Sequence, residues 1–141
     1  MIRVIFVCTG NSAHSQMAEA LLRREGGDAF EVVNAGVDPR GVHPLTIQAL
    51  QEVGIDIAEA RSKSVEEFLG QPFDYVITVC DRAREACPVF PGATATRHWD
   101  IDDPVDAEGF DDDRLAAFLL ARDEVARRVG AFVTEVGSGG R

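Results

Sequence analysis

The chain has 141 residues, 45% of them hydrophobic, enough for one globular domain with its own core. Its net charge is −10, and its cations cluster no further than pairs such as Arg23-Arg24 and Arg127-Arg128. That balance argues against nucleic acid, and no apolar run approaches the ~20 residues of a membrane span.

Residues 2–7 read as a first strand that stops at Cys8. A loop of small and polar residues follows, then a helix with Met17, Ala18, Leu21 and Leu22 on one side. Ser15 suits its N-cap, and Gly26-Gly27 suits its end. Residues 30–34 alternate as a second strand, followed by a turn-rich stretch through Gly41. Pro44 opens a helix ending at Gly54, and Ser64 with Glu67 has the spacing of a capping box before a short helix. Residues 73–79 form the third strand, which runs into Cys80. Residues 81–87 favour a short, weak helix closed by Pro88, and residues 95–99 a short fourth strand. Eight acids crowd residues 100–113, several of them suited to a helix N-terminus. The last helix carries Leu115, Phe118, Leu119, Val125, Val129, Phe132 and Val133 at helical spacing, with Glu124 and Arg128 as an i,i+4 pair. The expected organisation is one domain over residues 1–136 and a flexible tail over 137–141.

Strands alternating with helices predict an α/β fold, a four-stranded parallel sheet flanked by helices on both faces. Right-handed crossovers allow the order 2-1-3-4. Ligands then bind at the carboxyl ends of strands 1 and 3, both of which run into a cysteine. Between Cys8 and the helix, the backbone of Thr9, Gly10, Asn11, Ser12, Ala13, His14 and Ser15 can gather N–H groups around a tetrahedral anion. Cys8 at the mouth of such a socket is a candidate nucleophile. Asn11 can brace the loop through its amide, and the Ser15 hydroxyl can donate to the thiolate. Neighbouring strands lie about 4.8 Å apart, so Cys8 and Cys80 can approach bonding range. Cys80 and Cys87, with six residues between them, would be roughly 10 Å apart if helical and would pair only on unwinding.

Cys8-x-Gly10-Asn11-x-x-x-Ser15-Gln-Met-Ala-Glu19 resembles the phosphate-binding loop of the low-molecular-weight protein tyrosine phosphatase superfamily. With Cys80-Asp-Arg-Ala-Arg-Glu-Ala-Cys87-Pro88 the chain resembles, more narrowly, the thioredoxin-coupled arsenate reductases. The resemblance implies the 2-1-3-4 sheet and reduction of arsenate to arsenite through a Cys8–Cys80–Cys87 thiol-disulfide cascade regenerated by thioredoxin. It implies Asp103, in Asp103-Pro104, as general acid, and residues 9–15 as the oxyanion loop. Phosphate and sulfate are the expected competing anions. In the family loop an arginine stands where this chain has His14, which predicts weaker oxyanion affinity. Some members hold potassium beside the loop with an Asp near position 63, a charge that Lys63 can supply here.

The alternatives are a low-molecular-weight tyrosine phosphatase, or a weakly active oxyanion-binding protein because of His14. Aromatic residues that would wall an aryl substrate do not follow Asp103-Pro104, where Val105 and Asp106 stand, and binding alone needs no set of three cysteines. No metal or other cofactor is expected, since no CxxC pair exists and Cys8, Cys80 and Cys87 lack a histidine close in sequence. The first residues enter a strand with no signal-peptide pattern, so a cytoplasmic monomer without membrane or nucleic-acid partners is expected.

Overall fold

The computed structural model describes residues 1–79, 81–87, 90, 93–101, 104 and 109–139. Strand β1 (Ile2–Cys8) lies at the centre, flanked by β2 (Phe30–Gly36) and β3 (Tyr75–Thr78), with β4 (Ala95–His98) outside β3. All three pairings are parallel, in the order β2-β1-β3-β4 expected from the alternation of strands and helices. Because β1 is covered on both faces, it reads as an unbroken apolar run, with Val4, Ile5, Phe6 and Val7 wholly buried.

The pleat of β1 divides the core into two layers. Val4, Phe6 and Cys8 point into a layer with helices α1 (His14–Gly26), α2 (Pro44–Gln51) and α4 (Asp111–Gly139). Met17, Leu21 and Leu22 of α1 there meet Phe118, Val125 and Val129 of α4, as their helical spacing predicts. The rings of Phe6 and Trp99 meet at a tilt, 5.3 Å between centroids, and those of Tyr75 and Phe132 edge to face at 5.2 Å. Ile5 and Val7 face the other layer, closed by the 3-10 turn Val65–Phe68 and by α3 (Asp81–Ala86). Among the described residues, no helix is long and apolar enough to cross a membrane.

Several element ends differ from the sequence expectation. Helix α1 begins at His14, with Ala13 as its N-cap and no side-chain cap, so Ser15 lies inside the first turn. The Ser15 hydroxyl is drawn to Cys8 and Asn11 instead of the helix end. Strand β2 runs two residues further, to Gly36, because β1 pairs with it through Cys8. Strand β3 starts only at Tyr75, since the Asp74 carboxylate turns to accept from the Arg3 N–H. Ser64 does cap its turn, accepting from the Glu66 N–H. Glu67 pairs with Arg61, and hydrogen bonds from that guanidinium hold its carboxyl below the usual range. Helix α4 continues past Val136 to Gly139. Its Glu124 takes both Arg127 and Arg128, whose hydrogen bonds pull its carboxyl down to about 2.

Gly36 is the point where the sheet meets the loop after β1. A Cβ there would stand 2.7 Å from Thr9 O and 2.9 Å from both Asn11 N and Asn11 Cβ. Those obstacles are largely backbone and cannot swing aside. Gly36→Ala is therefore expected to lower stability by about 1–3 kcal/mol, the cost of overpacking. Gly130→Ala, in the interior of α4 with nothing within 4 Å of the added carbon, is expected to raise it by about 0.5–1 kcal/mol. Urea unfolding of both variants against wild type checks the pair.

Candidate active site

The site is a loop held from outside by its carbonyls. Val37 N donates to Cys8 O (3.0 Å), Asp38 N to Thr9 O (2.9 Å), Arg40 N to Gly10 O (2.9 Å) and His43 N to Ser12 O (3.1 Å). Ser12 O also accepts from the Thr46 hydroxyl at 2.7 Å, and Gly10 O from the Ser62 hydroxyl at 3.1 Å. With these acceptors bound on the outside, what the loop can offer an anion is its amide hydrogens. Asn11 N already points to Cys8 Sγ, at 3.2 Å.

The turn needed for this is made at Asn11, whose φ of 51° is left-handed, a region an Asn side chain tolerates better than most. Its side chain is wholly buried and its amide orientation is fixed by its neighbours. Lys63 N donates to Asn11 Oδ1 at 2.6 Å, so Asn11 Nδ2 faces the other way. That nitrogen donates to Ser15 Oγ and to Asn34 Oδ1, each at 2.7 Å. Ser15 Oγ accepts from Asn11, which leaves its own proton for Cys8 Sγ, 2.8 Å away. Two donors thus converge on the sulfur beside the N-terminus of α1, and each favours the thiolate over the thiol.

Beneath Asn11 lies a second ring of groups. Gln16 Nε2 donates to Asn11 O (3.2 Å) and to Arg61 O (3.1 Å), and Asn34 Nδ2 donates to Gln16 Oε1. Lys63 Nζ donates to Asn34 Oδ1 at 3.1 Å, which puts a positive charge beside the loop. Burial pushes the Lys63 ammonium down from its ordinary pKa, while Glu19 opposes that fall. Burial likewise pushes Glu19 up, against the pull of Arg23 and Lys63. Gln16, Asn34, Thr46 and Ser62 were not picked out by sequence reasoning. The signal for Asn34 was available, since a polar residue near the end of an otherwise apolar strand has to find partners.

The expected site residues from Cys8 to Ser15 form one continuous constellation. Cys8 is 5% exposed, Ala13 is buried, and His14 is buried as the first residue of α1. Cys87 follows α3 and is half-buried in the opposite layer; burial pushes its thiol up. Cys80 and Asp103, expected as the relay thiol and the general acid, lie outside the described residues. Since the Ser15 proton favours the ionised sulfur, Ser15→Ala is expected to slow alkylation of Cys8 at neutral pH about tenfold, and to cost about 1–3 kcal/mol of stability for the Asn11 amide hydrogen left unpaired. Iodoacetamide labelling against pH, read by peptide mass, checks this, and an unchanged rate would show that the hydroxyl does not bear on the sulfur's ionisation.

Residues 3–139 match the family described as low molecular weight phosphotyrosine protein phosphatase. An arsenate reductase of Halalkalibacterium halodurans is 41% identical over 129 residues, which span 92% of this chain and 93% of that protein. Among solved structures, an arsenate reductase in its oxidized state superposes with a TM-score of 0.83 at 30% identity, covering 96% of this chain and 99% of that one. A thioredoxin-dependent arsenate reductase of Corynebacterium glutamicum superposes with a TM-score of 0.78 at 28% identity, covering 99% of this chain and 63% of that one. The loop after β1 and the sheet around it are thus those of a known group of proteins, and the chain belongs to the low molecular weight phosphotyrosine protein phosphatase family.

Proposed function

We propose that this protein is an arsenate reductase in which Cys8 is the nucleophile, Cys80 and Cys87 are the relay thiols, Asp103 is the general acid, and thioredoxin is the reductant. The observation that carries the reading is Cys8 Sγ held by Asn11 N and the Ser15 hydroxyl at the mouth of an anion loop. The 41% identity to an arsenate reductase selects this chemistry among those such a loop supports.

The Cys8 thiolate attacks arsenic(V), and one arsenate oxygen leaves as water after taking a proton from Asp103. The Cys80 thiolate then attacks Cys8 Sγ, the sulfur–arsenic pair stays on arsenic, and arsenite departs as arsenic(III). The Cys87 thiolate attacks Cys80, releasing Cys8 and leaving a Cys80–Cys87 disulfide. Two electrons from the thioredoxin dithiol restore both thiols. Phosphate and sulfate share the tetrahedral shape and compete for residues 9–15 without being reduced. In this reading residues 1–136 act as a single catalytic unit and function as a monomer.

The geometry favours a relay over direct exchange between Cys8 and Cys87, since these lie in opposite layers of the core with the sheet between them. Val79, which precedes Cys80, donates to Val7 O at 2.9 Å, tying that part of the chain to the end of β1. Thioredoxin-coupled arsenate turnover is the direct test. Cys87→Ser is expected to make one arsenite per protein and then stop with Cys8 and Cys80 joined, its steady rate falling about a hundredfold or more. Peptide mapping after a single turnover reads the trapped bond. Free thiols alongside a normal steady rate would rule the relay out, and absence of turnover by the wild type would rule out the reductase.

A further inference from the structure

The loop that must hold a doubly charged oxyanion contains no permanent cation. Residues 8–15 include neither Arg nor Lys, and the chain as a whole carries −10. His14 is an imidazole, a group that is largely neutral near pH 7 unless its surroundings raise its pKa above about 6.5. Apart from the Lys63 ammonium, which is bound to Asn34 behind the loop, amide hydrogens would then meet the substrate against an opposing field.

Arg40 lies against this loop. Its backbone N–H is bound to Gly10 O at 2.9 Å, which fixes where its side chain starts. Its Cβ and Cδ are each 3.8 Å from the point where a Cβ on Gly10 would stand, so the stem runs along the loop itself. The guanidinium is held by Asp38, at 2.9 Å, with the two side chains 67% and 44% exposed. Among the described side chains, three other cations around the loop are engaged elsewhere: Lys63 Nζ on Asn34 Oδ1 and Arg61 O, Arg61 on Glu67, and Arg114 on His43.

We propose that Arg40 is an oxyanion-binding residue, which leaves Asp38 and closes over arsenate bound at residues 9–15. The exchange costs little, because an exposed ion pair contributes almost nothing to stability. It gains a planar fork of donors on a tetrahedral dianion, where two parallel charged hydrogen bonds can form. Asp38 then acts as the competitor that parks the guanidinium when the site is empty. The proposal deepens the arsenate reading given above and rests on it for the identity of the substrate.

The test compares wild type with Arg40→Ala, Arg40→Lys and Asp38→Asn in the full chain. One readout is protection of Cys8 from iodoacetamide by inorganic sulfate, which needs no turnover; the other is KM against kcat in thioredoxin-coupled arsenate reduction. Arg40→Ala is expected to raise the sulfate needed for half-protection, and KM for arsenate, about tenfold or more, with a smaller effect on kcat. Arg40→Lys should recover part of the loss, and Asp38→Asn should tighten both constants. If Arg40→Ala also slows alkylation in anion-free buffer, the loop itself has changed and Asp38→Asn decides, with unchanged sulfate protection overturning the clamp. Equal protection of wild type and Arg40→Ala overturns it too, as does failure of sulfate to protect the wild type. The sulfate comparison is read whether or not arsenate is reduced, so failure of the reductase reading is seen separately.

Discussion

The whole carboxyl edge of the sheet depends on the buried amide of Asn11. A backbone N–H can only donate, so Lys63 N at 2.6 Å fixes Asn11 Oδ1, and the amide nitrogen must then face Ser15 and Asn34. Ser15 oxygen accepts from it, and the hydroxyl proton is left to the sulfur of Cys8. One amide far away in sequence therefore orients the group that can donate to the nucleophile once its sulfur is ionised. The energetic consequence is selective. A neutral hydrogen bond contributes about 0.5–1.5 kcal/mol net and one to a charged group about 1.5–3 kcal/mol, so this bond favours the ionised sulfur.

The same loop is shaped from its other side by the chain that follows β2. Because β2 pairs with β1 through Cys8 and Gly36, its continuation emerges beside the loop after β1. Four successive contacts, from Val37, Asp38, Arg40 and His43, then take up carbonyls of Cys8, Thr9, Gly10 and Ser12. Sheet order is thus not only a scaffold for the site; it delivers the donors that hold the loop's acceptors outward. His43 also anchors the next helix, since its Nδ1 accepts from Leu45 N and its ring stacks on Phe118 at 4.7 Å. The loop, α2 and α4 are joined through that one residue, the loop by its backbone N–H and the two helices by its ring.

Much of this was legible in the residues. An apolar run ending in Cys8, a loop of small residues and a helical stripe of Met17, Leu21 and Leu22 define strand, socket and helix without further help. The alternation of strands and helices carried the parallel sheet. Local rules failed where a polar side chain had a better partner far away in sequence. Ser15 reads as an N-cap, but sulfur and amide neighbours claim its hydroxyl, and the N-cap lies two residues earlier at Ala13. Asp74 lies in a strand pattern, but its carboxylate meets Arg3 N and the strand begins after it. Arg40 reads as one charged residue in a turn, and its contact with Gly10 exists only once β2 lies beside β1.

The two layers of the core bear on how the proposed relay would run. Cys8 packs with α1 and α4, whereas Cys87 packs with Ala83 and Phe90 beneath α3. Burial pushes the Cys87 thiol up from its ordinary value, which disfavours the thiolate that attack requires. Its backbone N–H is also fastened to Ala83 O at 2.8 Å, as one more turn of α3. Opening α3 would change both conditions together, releasing the chain on which Cys87 rides and bringing the thiol into water, where it ionises more readily. A helix of six residues is far below the ~12–15 at which helices become stable alone, so its packing decides whether it stays closed. Ala83 is wholly buried in that layer, in one cluster with Ile5 and Val7. Closure of α3 thus goes with Cys87 staying in its apolar layer, and attack by Cys87 in the proposed relay requires that layer to open.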